Sequence, residues 1–228
     1  MKGTLYGVSV GPGDPGLITV RAVEVIRACD VIAVPRSSDG AERIALGIAG
    51  NAVPELDRKE LVELSLPMTR DPDRLETARA AAVETLAGYL RAGKDVAFLT
   101  IGDVTVYSTY GYLHGRVKAM GFSAEMVAGV PSFCAAAARL GEPLTDAAKP
   151  LHIVPAPYEG LEEALSLPGT KVLMKSGKCF GEVRRLLAKR GQDAKLVERC
   201  GLPGERVFPS LGEAPDDAGY LSIIVVKE

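Results

Sequence analysis

The residues best placed to do chemistry follow a short apolar run near the middle of the chain. Residues 96–101 are predicted to form a β-strand that runs directly into Gly102 and Asp103. Gly102 allows a ligand to approach the backbone closely, and Asp103 lies at the carboxyl end of a parallel strand, where open α/β sheets bind ligands. Asp103 is therefore our first candidate for a ligand contact. A cap on the following helix is the alternative role for this side chain.

Three tyrosines come directly after this pair, at positions 107, 110 and 112. Only 5% of the chain is aromatic and it contains no tryptophan, so the concentration of rings beside one loop is unusual. Such rings predict a flat, apolar ligand. Core packing would equally account for Tyr110 and Tyr112.

A glycine-rich loop with the sequence GPGDPG follows the first predicted strand, at residues 11–16. Its spacing matches the G-x-G-x-x-G pattern of dinucleotide sites, in which backbone N–H groups hold a pyrophosphate. Pro12 and Pro15 have no N–H to donate, and Asp14 would place a carboxylate beside the phosphates. The loop is either a tight turn into a helix capped by Thr19 or the edge of a site for a ligand without phosphate.

Two later loops repeat the change from strand to turn to helix. Residues 129–132, GVPS, offer small side chains and a hydroxyl, and the strand that ends at Met174 continues into Lys175 and Lys178. These lysines bring two cations to a strand end. An ordinary solvated loop is the alternative for both of them.

The whole chain alternates short β-branched runs with longer amphipathic stretches, which predicts an α/β fold with crossover helices. The clearest helix covers residues 71–91, where apolar residues recur at helical spacing. A boundary near residues 121–130 divides the chain into domains 1–123 and 124–228. The predicted strands cover residues 5–10, 31–34, 61–64 and 96–101, a segment from 124, and residues 151–154, 171–174, 195–197 and 221–226.

The amino-acid composition disfavours several classes of function. Lys and Arg number 27 against 29 Asp and Glu, so the chain has no overall charge that would attract nucleic acid. The four cysteines form no CxxC motif and there are two histidines, so we expect no metal site. The first residues lack the basic-then-apolar layout of a signal peptide, and no apolar run reaches the roughly 20 residues that span a bilayer. We therefore expect a cytoplasmic protein that does not contact a membrane.

Taken in order, these loops resemble the tetrapyrrole (corrin/porphyrin) methylase family over essentially the whole chain. Within the family the chain is most similar to members that act on corrin precursors of the cobalamin pathway. One departure is Val104, where many relatives have proline, and it concerns the stiffness of the loop. The features that carry the resemblance are residues 11–14, Gly102-Asp103 followed by Tyr107, residues 129–132 and Met174, with segments 66–68, 107–109, 173–175, 202–205 and 220–222.

The resemblance implies a homodimer of two-domain α/β subunits, with the active site in the cleft between the domains. The N-terminal domain would form the substrate side, and the C-terminal domain would complete the site for S-adenosylmethionine. No nicotinamide is implied, which agrees with the prolines in the first loop. The residues carried over as cofactor contacts are mostly small or apolar: Pro12, Ile101, Gly102, Asp103, Val106, Tyr107, Pro131, Ser132, Met174, Cys200, Gly201 and Ser222.

The implied reaction transfers a methyl group to C20 of precorrin-2 or cobalt-precorrin-2. Such a displacement needs alignment and desolvation more than it needs a metal. Asp103 is the first candidate for the base that removes the C20 proton or for stabilising the sulfonium, followed by Lys175 and Tyr220. Cations should pair with the substrate carboxylates. The residues nominated to bind substrate are Arg36, Arg43, Tyr110, Lys175 and Lys178, with a solvated surface as the alternative for the two arginines.

Other functions stay open on the sequence. The acceptor could be another corrin position, uroporphyrinogen III, or the RNA or protein targets of distant relatives, although the near-neutral charge disfavours RNA. A non-catalytic tetrapyrrole or nucleoside carrier would bind ligand without turnover. A nicotinamide oxidoreductase would bind NADH.

Overall fold

The chain folds into two units. The computed structural model describes residues 2–36, 41–67, 69, 71–146, 148–156, 159–215 and 218–227, without the side chains of residues 41, 42 and 178. The units are Met1–Pro131 and Ser132–Glu228. The units divide just after the boundary region predicted at residues 121–130, so the segment 124–131, which the predicted division at residue 123 gives to the second domain, lies in the first unit. The strand that starts at Ser123 pairs with the first strand of the chain, and a sequence pattern shows a strand but not its partner.

The first unit is built on a parallel sheet whose described strands follow the order β3-β2-β4-β1-β5. All four neighbouring pairs run parallel. The carboxyl ends of parallel strands share one edge of a sheet, so the loops after β1, β4 and β5 lie at the same edge. The strands are β1 (Thr4–Ser9), β2 (Val31–Arg36), β3 (Glu60–Ser65), β4 (Val96–Thr100) and β5 (Ser123–Val127).

Helices alternate with these strands, as the sequence predicts. The predicted helix over residues 71–91 is confirmed at Pro72–Arg91, where the Asp71 carboxylate accepts the N–H groups of Asp73 and Arg74 at 3.0 and 3.3 Å. Gly93, with φ of 79°, ends the helical path. The helices of this unit are α1 (Val20–Ala28), α2 (Ala41–Ala52), α3 (Pro72–Arg91) and α4 (Tyr110–Ala119).

The second unit has a mixed sheet in the order β6-β7-β10-β8-β9. β6 and β7 are parallel, whereas β10 runs antiparallel to both β7 and β8. The short antiparallel strand β9 was not predicted, because three residues are too few to show a period. The elements are β6 (Leu151–Pro155), β7 (Thr170–Met174), β8 (Ala194–Glu198), β9 (Arg206–Phe208) and β10 (Ser222–Val226), with α5 (Ser132–Leu140), α6 (Leu161–Ser166) and α7 (Phe180–Lys189).

Each unit has its own apolar core. Phe98 and Leu86 lie in the first core, and Leu173 and Phe180 lie in the second. Among the described residues, no helix combines the length and the apolar character needed to cross a membrane.

Candidate active site

The ends of β1 and β4 are joined by a pair of backbone hydrogen bonds between two glycines. The Gly102 N–H donates to Gly11 O at 2.8 Å, and the Gly11 N–H donates to Gly102 O at 3.3 Å. Gly11 and Gly102 have φ of 77° and 73°, a region in which a side chain would be strained. The two predicted loops therefore lie next to each other, in a geometry that depends on glycine.

Ser9, which the sequence analysis missed, ties the ends of three strands together. Its buried hydroxyl donates to Val127 O at 2.7 Å and accepts the Val104 N–H at 2.8 Å. Gly129 packs on the same serine: a Cβ at position 129 would lie 2.4 Å from the Cβ of Ser9 and 2.9 Å from Gly102 O. The requirement for a small residue at 129 is therefore steric. A serine beside a glycine loop was the signal available in the sequence.

Asp103 is held by donors on both carboxylate oxygens. Oδ2 accepts the Gly129 N–H at 2.7 Å, and Oδ1 accepts the Thr105 N–H at 2.8 Å and also the Thr105 hydroxyl. Asp103 is only 7% exposed, and this burial raises its pKa. The bonds from Gly129 and Thr105 outweigh burial and hold the pKa below its usual value. Asp103 is therefore a fixed anion, which suits stabilising a cation better than taking up a proton.

Asp103 does not cap the following helix, so the alternative role proposed for it does not hold. Its bonds go to Thr105 and Gly129, whereas α4 begins at Tyr110, whose N–H donates to the Ser108 hydroxyl at 3.1 Å. In the first loop, the predicted capping by Thr19 is confirmed: its hydroxyl accepts the Ala22 N–H at 3.1 Å.

Tyr110, nominated to bind substrate, is a core residue. It is fully buried, its hydroxyl donates to Glu125 O at 2.6 Å, and a Cβ at Gly7 would fall 2.3 Å from its ring. The nomination is therefore wrong, and the core-packing alternative holds for this tyrosine. Tyr112 and Tyr107 are 53% and 45% exposed and stay available to a ligand. The sequence pattern could not separate a buried ring from two exposed ones.

The arginines nominated for substrate lie on an open surface. Arg36 is exposed, with its Nε 3.9 Å from the Glu63 carboxylate, and Arg43 is exposed on α2. Neither position is joined by a described contact to Asp103, so their role stays a prediction. The side chain of Lys178 and all of Met68 lie outside the described residues.

A second group of predicted residues surrounds the end of β7. Lys175 has a left-handed backbone with φ of 61° and a half-buried side chain, and burial lowers the pKa of its ammonium group. Ser176 is fully buried, and among the described residues its hydroxyl is the buried side-chain polar atom without a hydrogen-bond partner. Buried polar atoms normally have a partner, so an internal water molecule or a ligand that reaches this point would supply the one that the hydroxyl lacks.

The loop before β10 packs directly against this strand end. A Cβ at Gly177 would lie 2.8 Å from the backbone nitrogen of Tyr220. Glu198 restrains this loop. Its buried carboxylate accepts hydrogen bonds from the Gly219 N–H at 2.6 Å and from the Arg206 Nε at 2.5 Å. Glu198 and Arg206 were not found from the sequence, because no motif links them to the predicted site.

The other cofactor contacts expected in this unit lie at neighbouring strand ends. The Ser222 hydroxyl donates to Gly219 O at 2.6 Å, and Cys200 is buried immediately after β8. Gly201 has φ of 74°, and Arg199, just before this pair, is also left-handed at 52°. Unusual backbone conformations of this kind are concentrated at functional sites. The non-glycine residues with positive φ in the described chain are Tyr107, Lys175 and Arg199.

The family model for Tetrapyrrole (Corrin/Porphyrin) Methylases matches residues 4–215. The chain belongs to this family. It is 34% identical to the cobalt-precorrin-2 C(20)-methyltransferase of Salmonella typhimurium, over 100% of this chain and 98% of the relative. It is 33% identical to the precorrin-2 C(20)-methyltransferase of a Sinorhizobium species, over 98% of this chain and 95% of the relative.

A solved structure has the same fold as this tetrapyrrole methylase. Uroporphyrin-III C-methyl transferase from Thermus thermophilus, complexed with S-adenyl homocysteine, superposes with a TM-score of 0.73 at 22% identity, covering 99% of this chain and 98% of that one. The predicted α/β methylase fold is therefore confirmed.

Val104 helps to hold the loop after β4 through its backbone N–H. The family resemblance implies proline at this position in many relatives, and proline has no N–H. In this tetrapyrrole methylase the Val104 N–H donates to the Ser9 hydroxyl, and the valine side chain is buried. A hydrogen bond therefore restrains the loop here, in place of a proline ring.

Proposed function

We propose that this chain transfers the methyl group of S-adenosylmethionine to C20 of precorrin-2 or cobalt-precorrin-2 in cobalamin biosynthesis. The observation that carries the proposal is similarity over the full chain to two methyltransferases named for that carbon, at 34% and 33% identity. The geometry at the strand ends supports it independently, because the groups placed there suit this cofactor.

The residues at the first sheet edge fit a cationic cofactor that has no phosphate. The Asp14 carboxylate accepts the Gly16 N–H at 2.8 Å, so the glycine loop already uses a donor that a phosphate would need. Pro12 contributes an apolar surface, and Asp103 supplies a buried negative charge. In the second unit, Ser176 is two residues after Met174 in the chain, and its buried hydroxyl has no hydrogen-bond partner in the described chain. S-adenosylmethionine supplies a methyl group on a positively charged sulfur.

The chain has three tasks in such a reaction: alignment, exclusion of water and acceptance of one proton. Asp103 can stabilise the sulfonium in the bound state, since its donors keep it ionised. We assign the proton from C20 to the Lys175 Nζ. Burial lowers the pKa of this amine and so raises its neutral fraction at a given pH. Tyr220, 39% exposed beside Gly177, is the alternative acceptor.

The test is incubation of the protein with methyl-labelled S-adenosylmethionine and either precorrin-2 or its cobalt complex. We expect one added methyl group by mass spectrometry and its label at C20 by carbon NMR. A label on another carbon, or turnover of uroporphyrinogen III alone, would keep the family and refute the position. Tetrapyrrole binding without any transfer would favour a carrier.

Calorimetry tests the cofactor separately. We expect S-adenosylhomocysteine to bind in the micromolar range, about −8 kcal/mol, and NADH to give no heat. Tight NADH binding with no response to S-adenosylhomocysteine would overturn the proposal. We also propose that the active form is a homodimer, which sedimentation equilibrium would measure directly.

A further inference from the structure

A guanidinium on the first unit is stacked on an exposed ring and forms no salt bridge with the described residues. The Arg79 guanidinium carbon lies 3.7 Å from the centroid of the Tyr112 ring, and Tyr112 is 53% exposed. Glu76, one helical turn before Arg79, forms an ion pair with Arg116, with Nη2 to Oε2 at 2.5 Å. The hydrogen bond from Arg116 and, to a smaller extent, the charge of Arg79 hold the pKa of Glu76 below its usual value. Within the described chain, no carboxylate lies in salt-bridge range of Arg79.

The two helices that carry the stacked pair begin at the sheet edge of the candidate active site. Helix α3 starts after the carboxyl end of β3, and Arg79 is seven residues beyond its first residue, Pro72, or about 10 Å along the axis. Helix α4 starts after the loop that contains Asp103, and Tyr112 is its third residue. Because β3 and β4 are parallel to β2 in the same sheet, both helices begin at the same edge as Asp103.

Stacking fixes the plane of a guanidinium but leaves its N–H edge open. That edge matches a carboxylate through two parallel hydrogen bonds. The side chain of Arg79 is half-buried, so part of its hydration is already lost, and the ring of Tyr112 restricts its rotamers. An anion that reaches this edge therefore meets a donor that is largely oriented in advance.

We propose that Arg79, held against Tyr112, binds a carboxylate of the tetrapyrrole substrate and fixes the rotation of the macrocycle. This inference deepens the proposed function and rests on it, since the substrate of that reaction carries a ring of carboxylates. It assigns a substrate contact to α3, a helix with no predicted site residue.

The test compares three variants of the full-length protein. Arg79→Lys keeps the charge but loses the planar fork, Tyr112→Ala removes the platform, and Arg91→Lys is the matched control. Arg91 lies at the far end of the same helix, where it pairs with Glu84 at 2.6 Å. We expect the KM for the tetrapyrrole to rise about tenfold in Arg79→Lys, as for a lost charge-assisted bond, with unchanged affinity for S-adenosylhomocysteine. Tyr112→Ala should raise the same KM by a smaller factor, and Arg91→Lys should leave it within twofold.

A purely structural stack would behave differently. If the thermal midpoint fell in Arg79→Lys while KM stayed within twofold of wild type, the pair would only join α3 to α4 and the inference would be wrong. Loss of regiochemistry in Arg79→Lys, seen as a second labelled carbon, would support the rotational role.

A binding probe separates this inference from the proposed function. Uroporphyrin III, a stable porphyrin with carboxylates around its rim, is titrated by absorbance against wild type and Arg79→Lys. Weaker binding by the variant supports the carboxylate contact even if no methyl transfer is found. Equal binding and equal KM refute the contact while the methyltransferase stands. A wild type that neither binds the porphyrin nor turns over precorrin-2 refutes both.

Discussion

Replacing Asp103 by asparagine tests the fixed charge at the end of β4. The wild-type carboxylate accepts three hydrogen bonds, one from the Gly129 N–H and two from Thr105. Asparagine offers one oxygen and one NH2 group. If the asparagine oxygen keeps the hydrogen bonds from Thr105, its NH2 group takes the position of Oδ2, 2.7 Å from the Gly129 nitrogen. Both groups are donors, so the hydrogen bond from Gly129 is lost.

The size of the effect follows from these contacts. Loss of one buried, charge-assisted bond should destabilise the protein by about 2 kcal/mol. Loss of the negative charge beside a sulfonium should weaken cofactor binding and lower kcat/KM for S-adenosylmethionine by about ten- to a thousandfold, because the charge on sulfur is largest in the bound cofactor and falls in the transition state. The folded pKa of Asp103 lies below its unfolded value of about 3.9, so the charge stabilises the protein fully above that pH and loses its effect as pH falls through the folded pKa. The stability gap between wild type and Asp103→Asn should therefore narrow below about pH 4.

The assays are urea denaturation at several pH values and initial rates over a range of S-adenosylmethionine concentrations. Asp71→Asn is the matched control, because Asp71 also accepts two backbone N–H groups but is exposed at the start of α3. Asparagine caps helices as well as aspartate does, so we expect this control to remain close to wild type. An Asp103→Asn protein with wild-type kcat/KM for S-adenosylmethionine and wild-type stability would refute both the electrostatic and the structural reasoning.

Three further predictions follow from the same loops. Ser176→Ala should stabilise the unliganded protein by about 1 kcal/mol, because it removes an unpaired buried hydroxyl, and should weaken S-adenosylhomocysteine binding; tighter binding in calorimetry would contradict a ligand role. Gly129→Ala should cost about 2 kcal/mol by thermal unfolding because of its overlap with Ser9, whereas Gly88→Ala, in open space on α3, should gain about 0.5 kcal/mol; equal midpoints would exclude the steric argument. The kcat of wild type should rise with pH and then level off, and the midpoint of the rise should lie below the usual lysine pKa of 10.5. Lys175→Met should abolish this pH-dependent rise. An unchanged pH profile in the variant would exclude Lys175 as the proton acceptor.

The sequence by itself determined much of the local structure. The strand ending at Thr100 and the helix over Pro72–Arg91 follow from β-branched runs and a 3.6-residue period, which are properties of neighbouring residues. The glycine loops could also be recognised, because Pro12 and Asp14 act through their own backbone and side-chain chemistry. Family membership followed from the order of such loops along the chain.

Tertiary structure decided what depends on residues far apart in the sequence. Ser9 bonds to Val127 across 118 positions, and Glu198 holds Gly219, 21 positions away. Tyr110 and Tyr112 look alike in the sequence, yet one ring enters the core and the other stays exposed beside Arg79. The physical reason is that strand pairing and helix rotation choose these partners through packing of the whole sheet, which no local period encodes.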